Sequence, residues 1–113
     1  MREIQLMSLY SIVLITVPDE NMAEKIAKSL VKKKLAACVN IIDQISAIFA
    51  WQSTINTENE SMLLIKTTEI AYPSLESAIL QQHPYDIPEI IAIPIKRGAE
   101  DYLNWVRENT CTK

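Results

Sequence analysis

One histidine, two cysteines and one glycine set narrow bounds on the chemistry open to this chain of 113 residues. His83 is the single imidazole, and a neutral imidazole suits copper, zinc or nickel. A lone histidine with no second anchor makes a poor metal site. The competing reading is a helix C-terminal cap, where a positive ring gains from the helix dipole. Cys38 falls in an apolar stretch, where cysteine usually acts as a small inert hydrophobe. Cys111 is expected to be the more exposed and metal-reactive thiol. A nucleophilic Cys38–His83 dyad lacks any orienting motif. With Gly98 alone, no Gly-rich phosphate loop can be written, and no CxxC, HExxH or zinc-finger spacing exists. The two cysteines therefore read as reduced thiols, outside any disulfide framework.

Lysine and tryptophan raise the remaining chemical questions. Lys66 follows Leu63, Leu64 and Ile65, so it either snorkels at a sheet edge or faces a polar cleft with Tyr85 and Glu89. Trp51 and Trp105 suit the core or an interface better than ligand stacking. The run Lys32, Lys33, Lys34 is a basic cluster, but cations also complement the carbonyl end of a helix. A net charge of −3 and a pI of about 5.1 give no pull toward nucleic acid or anionic lipid. Hydrophobic residues at 49% and charged residues at 22% describe a single globular domain. The longest apolar runs reach about six residues, against the ~20 that span a bilayer. A signal peptide over the apolar-leaning residues 4–17 is opposed by Glu3 beside Arg2 and by Pro18-Asp19 after it. The expected location is cytoplasmic.

These residues must be positioned by a small set of elements. The β-branched run 11–17 (SIVLITV), stopped by Pro18, predicts a buried first strand after a tail of residues 1–10. Asp19 or Asn21 caps a helix, with Glu24 completing a capping box for Asn21 and Ala23, Ile26, Ala27 and Leu30 on one face. Residues 37–42 form a second strand that continues through Ile45, Ile48 and Phe49 to Trp51. A polar turn is expected over 52–59, with Asn56 and Asn59 accepting left-handed backbone. Residues 62–67 return as a third strand. Pro73 opens a second helix with Tyr72, Leu75, Ile79 and Leu80 on its face, ending at His83-Pro84. Residues 90–95 make the fourth strand, and Glu100 and Asp101 open a last helix with Tyr102, Leu103 and Val106 on one side.

The order βαββαβ is the ferredoxin-like arrangement of an α+β fold, with both main helices on one sheet face and an extra C-terminal helix. One covered face should leave strands that alternate apolar and polar. Here Ile12 and Leu14 oppose Val13, Ile15 and Val17, and Ile91, Ile93 and Ile95 oppose Ile90 and Ala92. Both faces are apolar, so a second face is expected to bury other copies of the chain.

The segments LAACVNII (35–42), Trp51, LLIKT (63–67), HPYDIPEIIAIPI (83–95) and YLNWV (102–106) closely resemble the CutA divalent-cation-tolerance family. The resemblance runs from about residue 11 to 106, within a domain placed at 11–110 ahead of a tail at 111–113. It implies a non-enzymatic ferredoxin-like subunit, a tight homotrimer built like the PII signalling proteins, and a role in tolerance of copper and other divalent metals. It implies no organic cofactor; copper or another divalent cation is the expected ligand, with His83 as the metal-binding residue. It also points to a ligand cleft between subunits lined by Trp51, Lys66, Tyr85 and Glu89. The chain departs from the family where Asp43-Gln44 replaces a Pro-Gly pair and Ser53 replaces a glycine. Ile15 stands where some copper-binding members carry cysteine, and Gln82-His83 where they carry paired histidines.

Two functions follow as expectations. One is a metal-binding or metal-responsive trimer without catalysis; the other is a PII-like module sensing a small anion and acting through a protein partner. An acylphosphatase-type enzyme shares the fold but needs a phosphate-cradling loop that this chain lacks. Copper should bind more weakly than in members with the full ligand set, with Asp86 and Glu89 adding carboxylates and His83→Ala removing most of what remains.

Overall fold

The computed structural model describes residues 9–110. The apolar run after residue 10 forms β1 (Tyr10–Val17), and its alternate side chains Val13, Ile15 and Val17 are completely buried. Pro18 ends the strand, and Asp19 caps α1 (Glu20–Lys32) by accepting from the Met22 amide at 2.9 Å. Asn21 therefore lies inside the first turn, and the expected Asn21–Glu24 box does not form, because extended Asp19 captures the free amide first. The helix closes on Lys34 in left-handed backbone (φ 60°), with the Leu35 amide reaching back to the Leu30 carbonyl.

β2 (Cys38–Trp51) and β3 (Thr54–Thr68) then form one long hairpin, followed by α2 (Tyr72–Gln82), β4 (Ile90–Pro94) and α3 (Glu100–Glu108). The strands order as β2-β3-β1-β4, all antiparallel, as the ferredoxin-like reading requires. Ala23, Ile26 and Leu30 of α1 and Leu75, Ala78 and Ile79 of α2 pack on Val13, Ile15, Leu63 and Ile65. Leu80, expected on this face, is 52% exposed, because Ala78 takes the position between Leu75 and Ile79. The opposite sheet face carries Leu14 between Leu64 and Ile91, and Ile12 between Lys66 and Ile93. Helix α3 contributes buried Val106 but leaves Ile91 and Ile93 nearly half exposed. The second face is apolar and only partly covered.

The hairpin departs furthest from the sequence reading. The turn is Gln52-Ser53 alone, both left-handed (φ 53° and 66°), the signature of a two-residue hairpin loop. Asn56 and Asn59 sit within β3, opposite Phe49 and Ser46. Thr54, Ile55 and Thr57 carry enough strand preference to extend the ladder that a run of polar residues had suggested would break. A bulge at Asp43 and Gln44 (φ 57°) sets two residues against Ser61, whose hydroxyl donates to Asp43 at 2.9 Å. Since β1 pairs β3 only over Ser61–Thr68, residues 45–60 project beyond the sheet as a two-stranded arm.

Gln44 and Ser53 thus occupy left-handed positions at or beside the sites where the family resemblance led us to expect glycine. Ser53→Gly and Gln44→Gly should each stabilise the fold by about 0.5–1 kcal/mol, the left-handed strain less the entropy that glycine adds to the unfolded chain. Chemical denaturation at fixed protein concentration checks this. Asn56→Gly, in regular strand, should destabilise.

Candidate functional site

The site is built where the arm leaves the sheet, beside the end of β1 and the loop after α2. Helix α2 stops at His83, whose backbone amide still reaches the Ile79 carbonyl at 2.9 Å before Pro84 turns the chain away. The ring is 9% exposed. Its Nε2 lies 2.7 Å from the Thr16 carbonyl and its Nδ1 3.2 Å from the Tyr85 amide. A carbonyl only accepts and an amide only donates, so those partners assign the neutral ring with hydrogen on Nε2.

This pairing fixes Tyr85. The two rings meet at 4.8 Å between centroids, tilted by 56°. The phenol donates to Glu60 Oε2 at 2.7 Å. Burial raises the Tyr85 hydroxyl well above the usual tyrosine range, and its bond to Glu60 and the charges of Glu60, Glu58 and Asp19 raise it further. At neutral pH the phenol is a proton donor and no base.

Tyr85 and Glu60 belong to the wall of a cavity of about 730 Å³. Phe49, Trp51 and Tyr85 give it aromatic surface, and Glu58, Glu60, Asp86 and Glu89 bring carboxylates. No lysine, arginine or histidine is among the described residues that line it. A smaller cleft nearby shares Glu60 and adds Asp19, Glu20 and Asp43. There the charge of Asp43, then a hydrogen bond to it, holds the Glu20 carboxyl above its ordinary value. The base of the arm is acidic on both sides.

Of the expected cleft residues, Trp51, Tyr85 and Glu89 meet at this cavity and Lys66 does not. Lys66 lies six positions along β3 from Glu60, roughly 20 Å of strand. Its Nζ donates to Asn40 Oδ1 and lies 3.8 Å from Cys38 Sγ. Within one chain the strand carries Lys66 away from this cavity. His83, the expected metal-binding residue, has both ring nitrogens engaged inside the chain, where it braces Tyr85. Ile15 is wholly enclosed under the helices, remote from solvent. Cys111 lies outside the described residues.

Glu58 and Glu60 escape the sequence reading because 52–59 reads as a turn and the third strand as starting only at 62. Their alternation in NTENES was the available signal, since residues two apart share one face of a strand. Among the described residues no three of His, Cys, Asp and Glu converge on a point that would hold an ion. What the arrangement can do is concentrate cations and repel anions. A hydrated divalent ion held through one or two carboxylates and its own waters fits such walls.

A model of the CutA1 divalent ion tolerance protein family matches residues 11–109. The divalent-cation tolerance protein CutA of Thermus thermophilus is 50% identical over 99 residues, covering 88% of this chain and 96% of the relative. Its solved structure superposes with a TM-score of 0.89 at 48% identity, over 90% of this chain and 99% of that one. The periplasmic divalent cation tolerance protein CutA of Archaeoglobus fulgidus gives a TM-score of 0.86 at 38% identity, covering 88% and 97% of the two chains. Human protein CutA is 42% identical over 96 residues, 85% of this chain but 54% of the human protein, so the chain spans about half that relative's length. On this similarity of sequence and fold, the chain belongs to the CutA1 divalent ion tolerance family.

Proposed function

We propose that this protein is a non-enzymatic homotrimer that takes up divalent cations, copper among them, in the acidic cleft at the base of its arm. The observation that carries the reading is the lining of the cavity, which has four carboxylates and, among the described residues, no cation. The names of the relatives supply the biological role, tolerance of divalent cations. The same charge argues against a small anion as ligand, since an anion would enter a field of its own sign without a counter-charge. Absence of catalysis is supported by Tyr85 held protonated and by an imidazole with no free nitrogen. Copper is held weakly in this reading, because carboxylates and water are its poorer ligands beside imidazole and thiolate. No helix among the described residues is long and apolar enough to cross a membrane. A cytoplasmic location remains part of the proposal, although one similar solved protein is named as periplasmic.

The trimer is supported by what a single chain leaves bare. Ile48 and Ile55 are 71% and 72% exposed on the arm, and Ile91 and Ile93 are open at the β4 edge. Apolar surface of this extent calls for partners, and identical chains offer matching surfaces.

Equilibrium dialysis against Mn²⁺ and Cu²⁺ tests the ligand. Glu58→Gln with Glu60→Gln should weaken retention at least fivefold, and Lys66→Met should leave it unchanged. Tight binding of ATP or phosphate with indifference to metal would support the anion reading instead. Light scattering at low micromolar protein should return three times the chain mass, and Ile48→Glu with Ile55→Glu should lower it. A single-chain mass for the unmodified protein would end the trimer reading.

A further inference from the structure

The acidic cavity is larger and more apolar than a metal ion requires. Its volume of about 730 Å³ is that of a small-molecule pocket. A divalent ion with six waters, at about 30 Å³ apiece, leaves most of it empty. The carboxylates also stand apart, since among the described residues no three, with or without histidine or cysteine, converge to hold one ion. Glu58 and Glu60 lie two residues apart on one strand face, about 7 Å along β3. Glu60 is nearly buried and commits Oε2 to the Tyr85 phenol, while Oε1 takes no hydrogen bond among the described residues. A nearly buried carboxylate oxygen in that state suits a donor from outside the chain.

Beside these charges the wall is aromatic, with Phe49, Trp51 and Tyr85. The β2–β3 register sets Ala47 against Glu58 and Phe49 against Asn56, so Phe49 and Trp51 share one face of the arm with Glu58 and Glu60. Ile48 and Ile55, the residues offered to other copies of the chain, leave from the opposite face. The trimer contact and the cleft therefore use different sides of the ribbon. Aromatic rings attract ammonium groups and pack on methylene chains, but they give a metal ion nothing to coordinate. We propose that the cleft binds a linear organic dication, an alkyl diamine or polyamine, with ammonium groups on the separated carboxylates and methylenes along the aromatic wall. The proposal rests on the reading of this cleft as a cation site and assigns the class of cation. Each ammonium carries three donors, so two of them serve carboxylates that do not converge. A separation of about 7 Å along a strand matches two ammonium groups joined by four or five carbons. A monoamine meets one such carboxylate and leaves the other unpaired.

The experiment titrates 1,5-diaminopentane into the full chain by calorimetry, with n-pentylamine as the control that lacks only the second ammonium group and Mn²⁺ as the metal control. The diamine should bind about fivefold tighter than the monoamine, or more. Trp51→Leu and Phe49→Leu should each weaken the diamine about threefold and leave Mn²⁺ unchanged. Glu58→Gln should weaken diamine and Mn²⁺ alike. Equal affinity for diamine and monoamine overturns the proposal, because the carboxylates are then used singly. Diamine binding unchanged in both aromatic variants overturns it too, since an acidic surface alone would account for that result. Mn²⁺ binding without diamine binding removes this proposal and leaves the metal reading standing. Diamine binding with the expected variant effects but without Mn²⁺ binding supports this proposal and removes the metal reading.

Discussion

Strand β1 ends at Val17 while its partner β3 begins far beyond it at Thr54, and this mismatch in length governs the molecule. Cross-strand pairing of β2 with β3 continues without β1 beneath it, so the hairpin leaves the sheet as a free ribbon. The bulge at Asp43 and Gln44 sits at the point of departure, where the extra residue bends and twists the ribbon. An isolated two-stranded ribbon in water is marginal at best. This one also carries Ile48, Phe49, Trp51 and Ile55, each 40% exposed or more. Full burial of such side chains contributes about 1.5–3 kcal/mol apiece, so the arm has much to gain from another surface.

The acidic cleft is a consequence of the same overhang. One wall is the arm, which brings Glu58 and Glu60 on one strand face together with Trp51 from across the turn. The other wall is the loop after α2, and His83 holds it. By bonding at once to Thr16 of β1 and to the Tyr85 amide, the imidazole ties that loop to the sheet and aims the phenol at Glu60. Glu60 is nearly buried, and Tyr85 supplies the donor that a carboxylate in that position requires. The residue that first suggested metal chemistry therefore serves as a brace.

Much of this was legible beforehand. The order of elements, the apolar face of α1 and the stop at His83-Pro84 all follow from periodicity and proline. The doubly apolar sheet was visible in β1 and β4 because each strand shows its two faces directly in alternate residues. The hairpin was not, because Gln52 and Ser53 make a tight turn without the glycine or asparagine that usually marks one. With the turn misplaced, Glu58 reads as a turn residue and Glu60 as lying ahead of the third strand, and half the cleft is hidden. Within one chain Lys66 lies apart from Tyr85 and Glu89 for a related reason. Residue types suggest who belongs in a cleft, but only strand register decides who can reach it.

In the proposed trimer other copies of the chain hold the arm in place, and amide hydrogen exchange reads this segment by segment. At tens of micromolar protein, the arm amides over 45–60 should be protected as strongly as those of the central β1–β3 ladder. A free two-stranded ribbon opens readily and exchanges fast. If the arm exchanges within seconds while the β1–β3 ladder stays protected, the arm is unsupported and the account is wrong.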